Sequence, residues 1–396
     1  MEQPELNLTF FRRRISFWRL ENAARGTHAA CFPMQRVKVG VLGCGAISAA
    51  YLRNLQGHFS GTVEVVACAD LLPDNARKAA ADFNVRRACT PDELLADPSI
   101  ELVLNLTPAP AHHAASMSVL RAGKHLFSEK PLALTREHGR EILSLATERG
   151  LRVGGAADTF LGGATQLCRR MIDAGRIGTP VASQIMVGAR MFHSARYHQV
   201  FRGALLDLGP YYLTALVALL GPVRRVGGAA EIRYREKSHP ADTPEAGTNF
   251  AVDIPTTVSA ALDLADGSVA SLIASCDTQS NQRHFEIFGT EGSLVVPDNN
   301  RYTGTIIHRR RGGEETFEDV AGFGELGRGL GIAEMAVALR ENRGPRASGE
   351  LMYHVLEVML AVHDSSAAGR HELIASTVTR PEPFDYATLP VPKPAR

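Results

Sequence analysis

Residues 37–55, VKVGVLGCGAISAAYLRNL, read as a buried strand, a tight glycine turn and a helix. Val37, Val39, Val41 and Leu42, with Gly40 among them, suit a strand covered on both faces. Gly43 and Gly45, then Ala46 and Ile47, stand where the chain turns sharply and lets a phosphate approach its backbone. A helix starting near Ala46 would aim free N–H groups and its positive dipole end at a pyrophosphate. A G-x-G-x-x-S string alone is common, and its context makes it specific. A second strand, 63–69, ends in Asp70, a carboxylate able to accept hydrogen bonds from an adenosine ribose. Asp70 lies somewhat farther from Gly43 than the usual ~20 residues. Strand, turn, helix, strand and aspartate together predict a dinucleotide-binding unit. The alternative is a β–turn–α unit that carries no ligand.

Outward from this unit, strands and helices alternate. Strands are expected at 101–106, 125–128 and 151–155, with a short one near 85–89, and helices near 46–56, 73–83, 110–122 and 135–148. Such alternation implies right-handed crossovers and a mostly parallel sheet, whose ligands bind at the carboxyl ends of the strands. Asp70, Thr107-Pro108 and Glu129-Lys130-Pro131 all follow strand ends and converge on the edge that carries the glycine turn. The style changes after about residue 156. Helices near 164–175 and 209–220 are followed by strands at 222–233, 256–264, 268–277, 283–289 and 292–296, with turns at Asp266-Gly267 and Glu291-Gly292. Two amphipathic helices, 324–342 and 348–367, close the pattern. The fold class expected is an α/β Rossmann domain plus an α+β domain with an open-faced, mostly antiparallel sheet. The divisions are a disordered extension at 1–33, the dinucleotide domain at 34–155, a substrate and oligomerisation domain at 156–380 and an extended, proline-rich tail at 381–396.

Composition narrows the function. The 396 residues carry a net charge of +1, with 45% hydrophobic and 21% charged residues, so nothing points to a nucleic-acid or membrane-surface partner. Six cysteines lie scattered with no CxxC pair, which suits a reducing, cytoplasmic compartment and argues against a zinc site. No apolar run is read as reaching the ~18 residues of a membrane span. The segment before Met34 holds Arg12-Arg13-Arg14 and the only tryptophan, Trp18. Arg19 interrupts any apolar stretch there, so it is not an export signal and is expected to be dispensable.

Two clusters could carry chemistry. In Glu129-Lys130-Pro131, a lysine beside a nicotinamide can hold its ammonium near a substrate hydroxyl, with a pKa expected to fall next to another cation. Taken alone, Lys130 is better explained as a surface lysine at a strand end, since lysines are mostly exposed. In Asp207-Leu208-Gly209-Pro210-Tyr211, the proline is read near the first turn of a helix, which sets Asp207 and Tyr211 at one helix mouth. A phenol near an ammonium has its pKa pulled down and can exchange a proton with an alcohol. A helix-capping aspartate followed by core aromatics is the alternative. Asn105, Thr107, Pro108 and His112 are further candidate cofactor contacts, and Asp158 and His193 candidate substrate contacts. The histidines, including His113 and His198, have no metal-ligand spacing, so no metal is expected. Arg309-Arg310-Arg311 with Glu314 and Glu315 reads as a solvated hairpin.

Four stretches, VGVLGCGAIS, AGKHLFSEKPLALT, GALLDLGPYYLTALVALLGP and FEIFGTEGSLVVPD, occur in an order that resembles the Gfo/Idh/MocA family, named for glucose–fructose oxidoreductase and inositol dehydrogenase. The resemblance runs from about residue 35 to about 375. It implies a bound nicotinamide dinucleotide, NAD with NADP possible, and a sugar, polyol or related cyclic alcohol as substrate. The dinucleotide turn falls on Gly43 and Gly45, the ribose carboxylate on Asp70 and the family's EKP lysine on Lys130. Its DxGxH segment falls on Asp207, Gly209 and Tyr211, with tyrosine in place of the commoner histidine. Thr214 stands where many members have aspartate, and Arg202-Gly203 where a glycine pair is usual. The implied reaction is hydride transfer, with Lys130, Tyr211 and Asp207 catalytic, and a homodimer or homotetramer associating through the second domain's sheet. NAD-dependent glycosidase chemistry on the same scaffold and a non-catalytic dinucleotide sensor are the rival readings. A sensor has no need of Lys130 and Tyr211.

Overall fold

The computed structural model describes residues 35–188, 195, 198, 202–239, 241, 243–278, 280–318, 327–385, 388 and 389. The segment 1–33, expected to be a dispensable extension, lies outside them, as does most of the 381–396 tail.

The first sheet holds β1 (Val37–Leu42), β2 (Val63–Ala69), β3 (Ala88–Cys89), β4 (Leu102–Asn105), β5 (His125–Ser128) and β6 (Val153–Gly155). All neighbours pair parallel, in the order β3-β2-β1-β4-β5-β6. The chain therefore builds outward from β1 in one direction, returns, and builds from β4 in the other. The reversal between β1 and β4 opens a crevice at their carboxyl ends, where α/β sheets bind ligands. Val37, Val39 and Val41 have no exposed surface, as a strand covered on both faces requires. A helix missed by the sequence reading, Pro91–Ala96, is set by a capping box. The Thr90 hydroxyl accepts from the Glu93 N–H while the Glu93 carboxylate accepts from the Thr90 N–H.

The second sheet holds β7 (Pro180–Gly188), β8 (Val223–Glu231), β11 (Thr257–Leu264), β12 (Val269–Ser275), β13 (Gln282–Gly289), β14 (Gly292–Val296), β15 (Thr305–Arg310), β16 (Gly313–Glu318) and β17 (Glu372–Leu373). Their order is β16-β15-β14-β13-β7-β12-β11-β8-β17, while β9 (Glu236–Ser238) and β10 (Asn249–Ala251) form a separate pair. β7, absent from the sequence reading, is the spine. It pairs parallel with β12 and antiparallel with β13, so the sheet is mixed. The β15–β16 hairpin is the expected solvated one, with Arg310 turned to Glu315. Ile185, Leu262 and Leu272 face a helical layer and are buried, whereas Val269, Ile273 and Phe288 on the other face are at least 36% exposed.

Helix Gly203–Leu220 packs on the inner face of this sheet. It begins six residues before the expected 209. Gly203 has φ +87°, and a Cβ there would lie 2.7 Å from the Pro255 carbonyl oxygen. Pro210 therefore sits inside the helix rather than in its first turn. Its missing N–H frees the Leu206 carbonyl, next to Asp207 in the chain. The helix also corrects the reading that no apolar run is long enough to span a membrane. Its 18 residues have a mean hydropathy of 1.5, and 94% of them are buried within the fold. Helix Gly349–Ala368 packs against this helix, against β8 and against helix Arg136–Glu148, so it joins the two sheets. Part of the tail docks too: Phe384 is buried, its N–H donating to Gln166 Oε1.

His354 of the joining helix is fully buried, accepts from the Val223 N–H at 3.0 Å and lies 2.9 Å from the Ser376 hydroxyl. Burial pushes its pKa down to about 4, against an opposing pull from Glu357. Between the ordinary histidine value and about 4, the unfolded chain binds a proton that the fold refuses. Stability is therefore lost as pH falls through that window, by up to about 3 kcal/mol from this residue. Burial also lowers His112, His125 and His363. Chemical denaturation at about pH 7 and about pH 4.5 should register their joint effect, and His354→Gln should flatten the difference. An unchanged pH slope in His354→Gln would remove His354 from the account.

Candidate active site

The glycine turn has two glycines with different constraints. Gly43 has φ +100°, and a Cβ there would meet the Leu106 carbonyl at 2.8 Å, so the fold itself requires glycine. A Cβ on Gly45 meets nothing within 4 Å. Gly45, Ala46 and Ile47 are exposed, and helix Ser48–Gln56 starts with no side-chain cap. The turn thus leaves open space at a positively polarised helix start, which fits a dinucleotide pyrophosphate. Asp70 follows β2 and accepts from the Cys44 N–H at 2.7 Å, from the Leu72 N–H at 2.9 Å and from the Asn75 amide. The residues beyond it, Leu71 and Leu72, are exposed and uncharged, and Arg77 is engaged with Asp74.

Thr107 and Pro108 lie half-buried and exposed at the carboxyl edge, near the glycine turn. Asn105 and His112, expected as cofactor contacts, are engaged within the fold. Asn105 is fully buried, donates to the His112 carbonyl and the Ser116 hydroxyl, and accepts from the Thr107 N–H and hydroxyl. His112 is 1% exposed, with its ring nitrogens 2.7 Å from the Pro131 and Thr107 carbonyls. It ties the turn after β4 to the turn after β5. Glu129 is held by the Tyr51 hydroxyl at 2.8 Å and the Lys130 N–H at 2.9 Å, so it too braces the edge.

Lys130, just past β5, reaches helix Gly203–Leu220. Its ammonium donates to the Asp207 carboxylate and, at 2.9 Å, to the Asp207 carbonyl. The two side chains are 9% and 12% exposed. Asp207 is therefore an ion-pair partner in the second turn, not a helix cap. The ammonium also lies 5.4 Å from the centre of the Tyr211 ring. Burial pushes the Lys130 pKa down, but its coupling to the Tyr211 phenol and to the carboxylates of Asp207 and Glu129 outweighs this and holds it above the usual lysine value. This reverses the expected fall. Tyr211, 6% exposed, also departs from expectation. Burial raises its phenol pKa more than Lys130 and Arg328 lower it. The resting site is thus an ammonium, a carboxylate and a neutral phenol.

Asp158, expected as a substrate contact, is held within the fold. It has no exposed surface, and its oxygens accept from the Tyr302 hydroxyl at 2.8 Å and the Gly331 N–H at 2.7 Å. His193 lies outside the described residues. The sequence reading missed Arg328, Asn300 and Tyr302. Arg328 donates to the Tyr211 hydroxyl at 3.0 Å and to Asn300 Oδ1 at 2.7 Å. The one signal for it was an arginine between two glycines, Gly327 and Gly329, ahead of a helix.

Two family models match the chain. One, an oxidoreductase family with an NAD-binding Rossmann fold, matches residues 37–156, and the other, the GFO/IDH/MocA C-terminal domain, matches 165–295. The chain is similar to a 1,5-anhydro-D-fructose reductase of Ensifer adhaerens, 27% identical over 315 residues, which span 78% of this chain and 90% of that protein. An inositol 2-dehydrogenase of Burkholderia cenocepacia (strain HI2424) is 34% identical over 149 residues, or 37% of this chain and 44% of that protein. Among solved structures, a levoglucosan dehydrogenase in complex with NADH and levoglucosan superposes with a TM-score of 0.73 at 21% identity, over 86% of this chain and 99% of that one. At that identity the likeness concerns the fold.

The two glycines give separable outcomes. Gly43→Ala should lower the melting temperature, because the side chain meets backbone. Gly45→Val should leave the melting temperature in place and weaken NAD⁺ binding, measured by calorimetry. Wild-type protein should bind NAD⁺ more tightly than NADP⁺, since Asp70 repels a 2′-phosphate. Undiminished NAD⁺ binding by Gly45→Val would move the dinucleotide away from this turn.

Proposed function

The chain belongs to the Gfo/Idh/MocA oxidoreductase family, and from that premise we propose that it transfers a hydride between NAD and a secondary alcohol carbon of a sugar, polyol or related cyclic substrate. The observation that carries this reading is the buried Lys130–Asp207 pair beside Tyr211, at the carboxyl edge of an NAD-binding sheet. The named relatives, a reductase of an anhydro-sugar and a dehydrogenase of a cyclitol, support the substrate class.

NAD, held at the glycine turn, supplies the hydride acceptor or donor. The chain's own residues manage the proton and the orientation. In the reductive direction the Tyr211 O–H bond breaks as an O–H bond forms on the substrate oxygen, and the neutral resting phenol suits that role. In the oxidative direction the same oxygen takes the hydroxyl proton, and the nearby Lys130 and Arg328 cations favour the phenolate that this requires. Oxidation should therefore accelerate as pH rises toward the phenol's range. Lys130, kept charged by Asp207, is a donor that orients a substrate oxygen rather than a base.

The deciding experiment follows nicotinamide absorbance on a panel of sugars and polyols, with glycosides included. Turnover of free polyols supports the reading. Cleavage of glycosides without net nicotinamide change would favour the glycosidase chemistry, and binding without any turnover would favour a sensor. Tyr211→Phe should lower turnover by about 10²-fold or more while NAD⁺ binding persists. Near-normal turnover in that variant, with Lys130→Ala inactive, would shift the proton to the lysine.

Assembly is the other part of the proposal. Val269, Ile273 and Phe288 stand on the exposed face of the second sheet, with Val269 and Phe288 in register with Ala182 and Ile273 with Met186. Such a patch is covered in a homodimer or homotetramer. Light scattering should return a multiple of the chain mass, and Ile273→Glu should reduce it. A single-chain mass for the wild type would overturn this.

A further inference from the structure

Arg328 enters the site from an unexpected direction. Its backbone carbonyl accepts from the Asn54 amide of helix Ser48–Gln56, which follows the glycine turn, at 2.8 Å. Gly329, at φ +109°, then turns the chain into helix Leu330–Arg340. The guanidinium carbon lies 5.0 Å from the centre of the Tyr211 ring and 5.9 Å from that of Tyr302. Its hydrogen-bond partners are the Tyr211 oxygen and the Asn300 amide oxygen, both neutral acceptors, and Nη1 is buried with no partner.

A buried donor with no acceptor costs stability, and a methionine of similar length would fill the same space without it. Packing therefore does not account for an arginine here. Its charge does: the cation is felt by the buried Asp158, Glu129 and Tyr302, and it hydrogen-bonds the Tyr211 hydroxyl directly. A phenol oxygen has one proton and two lone pairs, and a guanidinium can only donate. Arg328 thus occupies a lone pair and excludes the phenol proton from its own side. We propose that Arg328 is a positioning residue for Tyr211, fixing the hydroxyl rotor so that its proton is presented to a substrate oxygen, and stabilising the phenolate once that proton has gone. This rests on the reading of Tyr211 as the proton-transfer group. The transfer itself balances as above: O–H breaks at Tyr211 and forms at the substrate, while the dinucleotide supplies the hydride.

The test measures the phenolate directly. Ultraviolet pH titration of the full-length protein, taken as the difference from its Tyr211→Phe counterpart, reports Tyr211 alone. In Arg328→Met the Tyr211 phenolate should appear about one pH unit higher, a roughly tenfold weaker acid, and the alkaline limb of the oxidative pH–rate profile should move with it. Arg328→Lys should recover part of the shift, since it keeps the charge and loses the fork. In a double-variant cycle, Arg328→Met should add little to the loss already caused by Tyr211→Phe. An unmoved titration, or fully multiplicative losses, overturns the proposal. Should Arg328→Met fail to fold, Asn300→Ala releases the second anchor of the guanidinium. It should give a smaller shift of the same sign, and no shift there counts equally against the proposal. Retained turnover in Tyr211→Phe would sink the catalytic reading of Tyr211 instead, and the titration would still decide whether Arg328 governs that phenol.

Discussion

The contact on which the site depends is the buried ion pair between Lys130 and Asp207. Lys130 leaves the parallel sheet just past β5, and Asp207 stands in the second turn of the helix that covers the mixed sheet. Neither charge is well hydrated. Each is tolerable because the other is present, and removing one partner of such a pair costs roughly 3–5 kcal/mol. The pair therefore couples folding to chemistry. The carboxylate that partners the lysine also ties the turn after β5 to the helix on the mixed sheet. Pro210 contributes by omission. With no N–H to give, it interrupts the helix's own hydrogen bonding in the turn where the ammonium docks.

Around that pair the polar groups form a shell in which tyrosines carry the connections. Tyr51 donates to Glu129, Tyr302 to Asp158 and Tyr212 to Asp298. At Glu129 and Asp158, both buried, the phenol satisfies the carboxylate without a cation in hydrogen-bond contact; the half-buried Asp298 also lies 4.0 Å from Arg283 and Arg301. The carboxyl of Asp158 is nonetheless pushed up by burial, against the pull of Arg328, Tyr302 and the Gly331 N–H. Tyr211 itself feels the cations of Lys130 and Arg328 against the carboxylates of Glu129 and Asp207. Charge created during proton transfer is felt strongly there because little solvent is present to screen it.

What the sequence made legible was whatever local pattern governs. β1, β2 and β5 fall where the run of apolar residues puts them, since a strand buried on both faces has no other way to read. β7 was missed because Ser183 and Gln184 dilute its pattern, and its strandedness comes from β12 and β13, which follow it by some eighty residues or more. The start of helix Gly203–Leu220 was misjudged because Gly-Pro is a strong local start signal, here overridden by close approach to Pro255. At the site, residue type was readable and burial was not. Asn105, His112 and Asp158 have the chemistry of ligand contacts, but each sits inside with its polar atoms already engaged. Arg328 showed the converse: it lies over a hundred residues from Tyr211 and belongs to no motif, so only the fold brings it to the phenol.

Asp70 carries this coupling of shape and chemistry to the cofactor end of the crevice. A carboxylate offers about four lone-pair positions. Here the Cys44 N–H, the Leu72 N–H and the Asn75 amide take three of them. The first of these holds the glycine turn itself, so a carboxylate placed to meet a ribose is also a strut of the turn proposed to meet the pyrophosphate. Exchanging Asp70 for a neutral residue to admit a 2′-phosphate would remove a negative charge and also release the Cys44 N–H, loosening the turn for either dinucleotide. On the proposed placement of the dinucleotide, cofactor preference would not be a separable property of one side chain, because the same carboxylate also holds the Cys44 N–H of the glycine turn.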